Sequence, residues 1–337
     1  MRISRIVALS VFATGAALPG QAVHAQGSIE CGEHAAIDAY VETYREMAAF
    51  DGVVLIAEGD EVVYHCAYGD ADYRFGTPME PDARFRIASL SKGFTDAAIG
   101  RLVDEGGLSL DDALAKYLPD FPNAERITVR HLVEHTSGVA HTNRLEWMDM
   151  REPMPLEAIV DALAEEPLDF EPGTDRGYSN GGYALLAAVL EAATESSYER
   201  YVEEWLAGEE LPSVGHEAPG EVVPQMAHRY APGPVYGDRA EARTYVVANR
   251  IGGGSLHASA LDVWRFFRSA YGGELLESGT TEELFPRPSD GDVRITGRSP
   301  GSLAQVYMDF ESGLSVVTLS SNSGWPGSFN ADIVSIY

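Results

Sequence analysis

The segments of this chain that favour β-strands lie near its two ends, and a long helical stretch separates them. Residues 53–57 and 62–67 are rich in β-branched side chains and flank a Glu-Gly-Asp turn, which predicts a hairpin. Residues 303–310 and 314–320 alternate apolar and polar side chains around a second turn. Residues from about 108 to 250 are instead helical and loop-rich. Since strands so far apart must pair around the helical insertion, the sequence predicts an α+β fold.

Apolar spacing and capping residues indicate where the helices begin. Residues 35–47 carry apolar side chains at helical intervals, and a second helix is expected to begin near Ser89. Residues 109–112 and 196–199 combine serine N-caps with acidic first turns, so both are interpreted as helix starts. Ser259 is expected to open a later helix that a Gly-Gly pair ends. In this interpretation only a short tail follows the last strand.

The charge of the chain restricts the partners that it can have. Its 337 residues include 52 acidic and 24 basic side chains, and the formal net charge is −28. The hydrophobic share of 45% is sufficient for a folded core. So acidic a surface repels phosphate backbones and anionic lipid headgroups, and we therefore expect no nucleic-acid partner.

The first 25 residues have the pattern of a secretory signal peptide. Arg2 and Arg5 form a basic start, residues 6–17 are apolar, and Val-His-Ala at 23–25 is a small-x-small cleavage pattern. No segment reaches the ~20 apolar residues that a membrane-spanning helix needs. The sequence thus predicts a periplasmic or secreted protein in which residues 26–337 form a single domain.

The mature chain has two cysteines, and two interpretations of them remain open. An oxidising compartment would permit a disulfide between Cys31 and Cys66. Alternatively, Cys66 is a small buried hydrophobe within a strand. Neither cysteine has the neighbouring histidine and asparagine that a catalytic thiol would need.

The strongest local signal for chemistry is a Ser-x-x-Lys motif at the predicted start of a helix. Ser89 and Lys92 are three residues apart, so their side chains lie on one helical face. A partly desolvated lysine can act as the base that makes a serine nucleophilic. The chain has only one other lysine, Lys116, and every other basic residue is arginine. A lysine kept at this position indicates that a removable proton is needed there.

The segment Phe-Arg-Ile-Ala-Ser-Leu-Ser-Lys at 85–92 resembles the nucleophile segment of the serine β-lactamase, D,D-peptidase and esterase family. Residues 108–138, which end in Thr-Ser-Gly, and the glycines at 252–254 are similar to the same family. The resemblance implies an antiparallel sheet flanked by terminal helices, with a helical subdomain inserted at about 108–250. It also implies hydrolysis of a small-molecule ester or amide through an acyl-enzyme on Ser89, without a cofactor.

A second motif of the family, Tyr-x-Asn, is matched at residues 178–180. Tyr178 can pass a proton between Ser89 and the leaving group, and Asn180 can orient the substrate or Lys92. Local chemistry alone would also permit a simple turn before a helix at this point.

The third motif of the family departs from its pattern. The family has Lys-Thr-Gly or His-x-Gly on the strand beside the site, whereas this chain has Ile295, Thr296 and Gly297. Ile295 supplies neither charge nor proton, so Arg298 is the nearest candidate cation. The backbone N–H groups of Arg298 and Ser89 are expected to form the oxyanion hole. Without the lysine or histidine a carboxylate binds less well, which favours neutral esters over β-lactams and D-alanyl peptides.

Two alternatives from other classes remain open. His131, Glu134 and His135 fit the His-x-x-Glu-His pattern of a zinc hydrolase, although the sequence identifies no third ligand. A non-catalytic descendant that binds a cell-wall or acyl ligand would also explain the loss of a cation at Ile295. The sequence predicts neither the oligomeric state nor the individual substrate.

Overall fold

The computed structural model describes residues 34–145, 148, 151–289 and 291–337 of the chain. The helices in these ranges are α1 (Ala35–Glu46), α2 (Ser91–Asp104), α3 (Val129–Val133), α4 (Leu156–Ala164), α5 (Asn180–Thr194), α6 (Tyr198–Gly208), α7 (Ala260–Gly272), α8 (Ser278–Leu284) and α9 (Phe329–Ile336). The strands are β1 (Gly52–Glu58), β2 (Glu61–Tyr68), β3 (Asp70–Asp72), β4 (Thr77–Pro78), β5 (Phe85–Arg86), β6 (Gly215–His216), β7 (Tyr230–Pro232), β8 (Arg239–Glu241), β9 (Leu256–Ala258), β10 (Asp292–Ser299), β11 (Ser302–Asp309) and β12 (Leu314–Ser320).

The main sheet joins the two ends of the chain. Its five strands have the order β10-β11-β12-β1-β2, and every neighbouring pair is antiparallel. Strand β1 pairs with β12 from Gly52 opposite Ser320 to Glu58 opposite Leu314. The helices α3 to α6 are inserted between these terminal strands. The α+β prediction is therefore confirmed.

Alternation along β1 directs its side chains into two separate apolar layers. Val53 and Leu55 belong to the larger core between the sheet and the helical part. Val54 and Ile56 face the opposite way, into a smaller core that includes residues of α1 and α9. The sheet is consequently covered by helices on both faces.

The apolar spacing predicts only a short tail after the last strand, and this is wrong, because residues 329–336 form helix α9. The terminal helices that the family resemblance implies are confirmed, since α1 and α9 both contribute to the smaller core. Phe329 and Ile333 of α9 are fully buried in the smaller core. Burying these two side chains contributes roughly 3–6 kcal/mol, which is sufficient reason for so short a segment to be helical in this context.

The predicted helix start at residues 109–112 is also wrong, whereas the other two serine caps begin helices. The Ser109 backbone N–H donates to Asp112 Oδ2 at 2.9 Å, and the Asp111 N–H donates to Ser109 Oγ at 3.2 Å. The side chains of Ser109 and Asp112 thus accept hydrogen bonds from backbone N–H groups within a turn, and no α-helix begins there. Only a 3-10 turn at Leu114–Lys116 follows. Ser197 and Ser259 do cap helices α6 and α7.

The predictions of a disulfide and of a signal peptide depend mostly on residues that lie outside the described ranges. Cys66 is fully buried in β2 and is disulfide-bonded. Cys31 and the predicted signal peptide, residues 1–25, lie outside the described residues. None of the helices described in the structure is long and apolar enough to cross a bilayer.

Candidate active site

Ser89 lies in a 3-10 turn, Ala88–Leu90, that leads directly into helix α2. Its hydroxyl is partly exposed, whereas the residues on both sides of it are buried. The preceding residue, Ala88, has a φ of +47°, in the left-handed region that normally favours glycine. A strained backbone immediately before a reactive side chain is a common feature of functional sites, because the surrounding packing has to enforce it.

Tyr178 reaches Ser89 from the segment that precedes helix α5. Its hydroxyl donates a hydrogen bond of 2.8 Å to the Ser89 Oγ. The ring centroid lies 4.7 Å from that of His135 and 5.5 Å from that of His141. Burial raises the pKa of Tyr178, against the opposing effects of the Ser89 hydrogen bond and the Arg250 cation. The phenol is therefore protonated near neutral pH and can donate.

Lys92 is the second residue of helix α2 and is buried between two aromatic rings. Its Nζ lies 4.8 Å from the ring centroid of Tyr178 and 5.0 Å from that of Tyr183. It donates to the Asn180 Oδ1 at 2.7 Å and to the Gly253 carbonyl at 2.6 Å. Two acceptors use two N–H bonds, so the neutral amine keeps a lone pair free to accept a proton.

The environment of Lys92 favours this neutral form. Burial is the main cause that lowers its pKa to about 7; the Asp96 carboxylate opposes this shift, and the Arg250 cation adds to it. Asp96 lies one helical turn beyond Lys92, and the Tyr183 hydroxyl donates to it at 2.8 Å. Burial raises the pKa of the Asp96 carboxyl to about 7 as well. The charge of each group therefore affects the pKa of the other.

The backbone of strand β10 lies against the amide of Ser89. A Cβ added to Gly297 would be 2.3 Å from the Ile87 carbonyl oxygen and 3.0 Å from the Ser89 nitrogen. Only glycine permits this approach. Because β10 is the edge strand of the sheet, alternate backbone N–H groups point away from β11 and towards this region.

The other residues of β10 that the sequence assigned to the site lie further from its centre than Gly297. The side chains of Thr296 and Arg298 are exposed, and the Arg298 Nη1 donates to the Ser323 carbonyl at 2.9 Å. Ile295 points the opposite way and packs against the larger core. The structure thus brings Ser89, Lys92, Tyr178, Asn180 and Gly297 together, with Thr296 and Arg298 at the margin of the site.

The geometry that a zinc site would need is not present in the predicted histidine motif. Helix α3 ends at Val133, and His135 follows it with a φ of +61°, so His131 and His135 do not share a helical face. The His131 Nδ1 accepts from the Thr128 N–H and caps the helix instead. Among the described residues, no group of three or more His, Cys, Asp or Glu is arranged to hold a metal.

His135 and His141 support the Tyr-x-Asn segment as neutral acceptors. The His135 Nδ1 accepts from the Ser179 N–H at 3.3 Å, and the His141 Nδ1 accepts from the Asn180 N–H at 3.1 Å. Burial, assisted by nearby cations, lowers the pKa of each histidine to about 4. Both therefore remain uncharged near neutral pH and hold the segment without adding positive charge.

Several residues of the site were not predicted from the sequence. Asp96 had a usable signal, because it lies four residues after Lys92 and thus on the same helical face. Tyr183 had a similar signal, because it lies three residues after Asn180 on helix α5. His141 and Arg250 had none, since they reach the site from distant segments. Gly253 belongs to the glycine motif already identified, but the sequence did not indicate that its carbonyl would bind Lys92.

Comparison with known proteins agrees with the resemblance seen in the sequence. The family model described as Beta-lactamase matches residues 37–331. Penicillin-binding protein 4* of Bacillus subtilis is 30% identical over 308 residues, which cover 85% of this chain and 65% of that protein. Esterase EstB of Burkholderia gladioli is 34% identical over 171 residues, 45% of this chain and 43% of EstB. The chain therefore spans less than two thirds of the length of these relatives.

The fold is also that of a solved structure. A penicillin-binding protein from Bacillus halodurans aligns with a TM-score of 0.77 at 23% identity, over 89% of this chain and 99% of that one. At this level of identity the comparison establishes the fold alone.

Proposed function

Because the chain belongs to the beta-lactamase family, we propose that it is a serine hydrolase that cleaves an ester or amide bond through an acyl-enzyme on Ser89. The observation that carries this proposal is the 2.8 Å hydrogen bond from Tyr178 to the Ser89 Oγ, next to a buried lysine whose pKa is about 7. A nucleophile, a proton donor and a base thus lie in one site, which is what acyl transfer needs.

In the acylation step, Ser89 attacks the substrate carbonyl while its proton passes to the neutral amine of Lys92. The hydroxyl proton of Ser89 has to point away from Tyr178, because Tyr178 donates to the same oxygen. The lone pair of Lys92 makes it the acceptor, with Asn180 and Gly253 holding the amine in place. Tyr178 then donates its proton to the leaving group.

The negative charge that develops on the carbonyl oxygen is bound by the backbone N–H groups of Ser89 and Arg298. The close approach of Gly297 to the Ser89 nitrogen brings the two chain segments side by side. Fixed donors of this kind contribute roughly 3–4 kcal/mol to the stability of the transition state. Water then attacks the acyl-enzyme and gives a proton to the Tyr178 phenolate, while Lys92 returns its proton to Ser89 as the acid is released.

Neutral esters are the substrate class that the site favours. A β-lactam or a D-alanyl peptide presents a carboxylate, and Ile295, packed into the core, offers it no charge. One relative is named an esterase, which supports this choice. Another is named a penicillin-binding protein, so β-lactamase or D,D-peptidase activity is the second candidate.

We place the protein in the periplasm or outside the cell. The signal-peptide pattern of residues 1–25 and the disulfide at Cys66 support export, because disulfides persist in oxidising compartments. Sequencing the N-terminus of the protein recovered from the exporting cell tests this; an unprocessed Met1 would contradict it.

Hydrolysis of a short-chain 4-nitrophenyl ester by the parent and by Ser89→Ala tests the proposed reaction. We expect the variant to lose the activity while its thermal midpoint barely moves, since only one partly exposed oxygen is removed. The parent is expected to hydrolyse a cephalosporin far more slowly than the ester. Equal activity of the variant would contradict the serine mechanism, and a preference for the cephalosporin would contradict the esterase assignment.

A further inference from the structure

A cleft of about 320 Å³ opens beside the catalytic residues, and two arginines, Arg243 and Arg250, line it. Asn143 lies on the wall of this cleft and accepts from the Asn180 Nδ2 at 3.4 Å. Asn180 is the residue that holds Lys92. The cleft is therefore continuous with the catalytic site and close enough to receive part of a bound substrate.

Arg250 lies near the backbone that precedes the nucleophile. A Cβ on Gly254 would lie 3.6 Å from the Cδ of Arg250 and 3.7 Å from the carbonyl carbon of Ala88, so Gly254 lies between the two. The Arg250 cation also lowers the pKa of both Lys92 and Tyr178. The charge of Arg250 therefore acts on the two side chains to which proton transfer is assigned.

Neither arginine of the cleft has a carboxylate partner within the described part of the chain. Some arginines elsewhere in this acidic protein do have one, as Arg86 has Glu217 and Arg239 has Asp51, whereas others, such as Arg298, donate to a backbone carbonyl. The Nε of Arg250 is buried and has no hydrogen-bond partner among the described residues. A buried N–H without an acceptor is unfavourable, and the remaining N–H groups of this half-buried side chain are free to bind a ligand.

Arg250 and the neighbouring Arg229 are held by contacts that leave their charge unneutralised. The Arg250 guanidinium lies 5.2 Å from the ring centroid of Tyr245, and that of Arg229 lies 4.5 Å from the same centroid. Arg229 also donates to the Pro300 carbonyl at 3.0 Å, on the turn that follows strand β10. Stacking on Tyr245 thus holds Arg250 and Arg229 without an ion pair within the described part of the chain.

We propose that the Arg243–Arg250 cleft binds a carboxylate carried by the substrate, so that the preferred esters or amides have an acidic group at some distance from the scissile bond. This rests on the hydrolase function proposed above. It narrows the preference for neutral esters to the part of the substrate that meets Ile295, whereas a carboxylate further from the scissile bond is favoured. The planar guanidinium forks match a carboxylate, and the Asn143 amide adds a polar neighbour. A β-lactam is not thereby favoured, because its carboxylate has to meet the strand at Ile295.

The carboxylate can belong to the acyl group or to the leaving group, and matched pairs of esters distinguish the two. For the acyl side, mono(4-nitrophenyl) glutarate is compared with 4-nitrophenyl pentanoate, which has the same chain length without the charge. For the leaving-group side, 3-carboxyphenyl acetate is compared with 3-carbamoylphenyl acetate. The quantity measured is the ratio of kcat/KM for the acidic ester to that for its neutral partner.

In the parent we expect the ratio of kcat/KM to be about 10 or more in one of the two pairs, because a charge-assisted contact contributes a preference of about that size. Arg243→Gln and Arg250→Gln should each lower that ratio about tenfold. Arg200→Gln is the matched control, because it removes the same charge from an exposed ion pair with Glu204 on helix α6. It should leave the ratio unchanged.

A ratio near one in both pairs, or an equal loss in Arg200→Gln, would overturn the proposal. A binding measurement distinguishes failure of the cleft assignment from failure of the proposed hydrolase function. Calorimetric titration of the parent with benzoate and with neutral benzamide needs no turnover, and benzoate should bind more tightly. If no ester is hydrolysed but Arg243→Gln weakens benzoate binding, the cleft assignment stands and the proposed reaction does not. Equal binding of benzoate and benzamide would contradict the cleft assignment.

Discussion

The Tyr178 hydroxyl lies 2.8 Å from the Ser89 Oγ, although 89 residues separate the two along the chain. The contact depends on how helix α5 sits against helix α2. The same two helices are joined again by the 2.8 Å hydrogen bond from Tyr183 to Asp96. The site is thus built across a helix–helix interface whose geometry decides whether the serine and its proton donor meet.

The variant Lys92→Arg distinguishes two possible roles of Lys92, a general base and a fixed positive charge. Arginine keeps the charge but does not release its proton at working pH, so Lys92→Arg should be as damaging as Lys92→Ala, with kcat/KM lowered by roughly 10²–10⁴ in both. The matched control is Lys116→Arg, at the only other lysine, which is exposed and pairs with Asp112. It should remain fully active in the 4-nitrophenyl ester assay. Substantial activity in Lys92→Arg would show that Lys92 is not the base.

The pH dependence of the reaction should report the coupling of Lys92 and Asp96. The base has to be neutral, so kcat/KM of the parent should fall as the pH drops through about 7. The Asp96 carboxylate raises the pKa of Lys92, and Asp96→Asn should therefore lower that pKa and move the acidic limb to lower pH. Glu105→Gln removes an exposed carboxylate just after the same helix and should leave the limb in place. A limb that stays fixed or moves upwards in Asp96→Asn would contradict the coupling.

A methyl group at Gly297 should disturb the oxyanion hole. The added carbon would clash with the Ile87 carbonyl and push β10 away from the Ser89 amide, so kcat/KM should fall roughly 10- to 1,000-fold in Gly297→Ala. Gly279→Ala, on helix α8, is the control because its Cβ would meet no atom within 4 Å. Circular dichroism melting establishes that both variants fold. Full activity of a folded Gly297→Ala would argue against an oxyanion hole between these two segments.

The sequence predicts those features of this protein that depend on local spacing. The α+β class follows from apolar patterns, and the serine caps of α6 and α7 follow from residues within one turn. The nucleophile segment is identifiable because Ser89 and Lys92 are only three residues apart. The prediction from local spacing is wrong at residues 109–112. There the Asp112 side chain accepts a backbone hydrogen bond within a turn, as it could equally do at the start of a helix.

The remaining features depend on packing between distant segments. Helix α9 forms because Phe329 is buried in the smaller core, which no local pattern indicates. Arg250 affects Lys92 across 158 residues of chain, and only the folded structure shows its charge to be near the amine. For the same reason His135 looks like a metal ligand in the sequence, whereas its position after the end of α3 makes it a hydrogen-bond acceptor for Ser179.

Labelling with a fluorophosphonate probe, followed by mass-spectrometric mapping, tests the central claim most directly. Such a probe reacts with an activated serine and needs no knowledge of the substrate. The account predicts one adduct, on the peptide that contains Ser89, and none in Ser89→Ala. An adduct on another residue, or a folded parent that is not labelled at all, would contradict it.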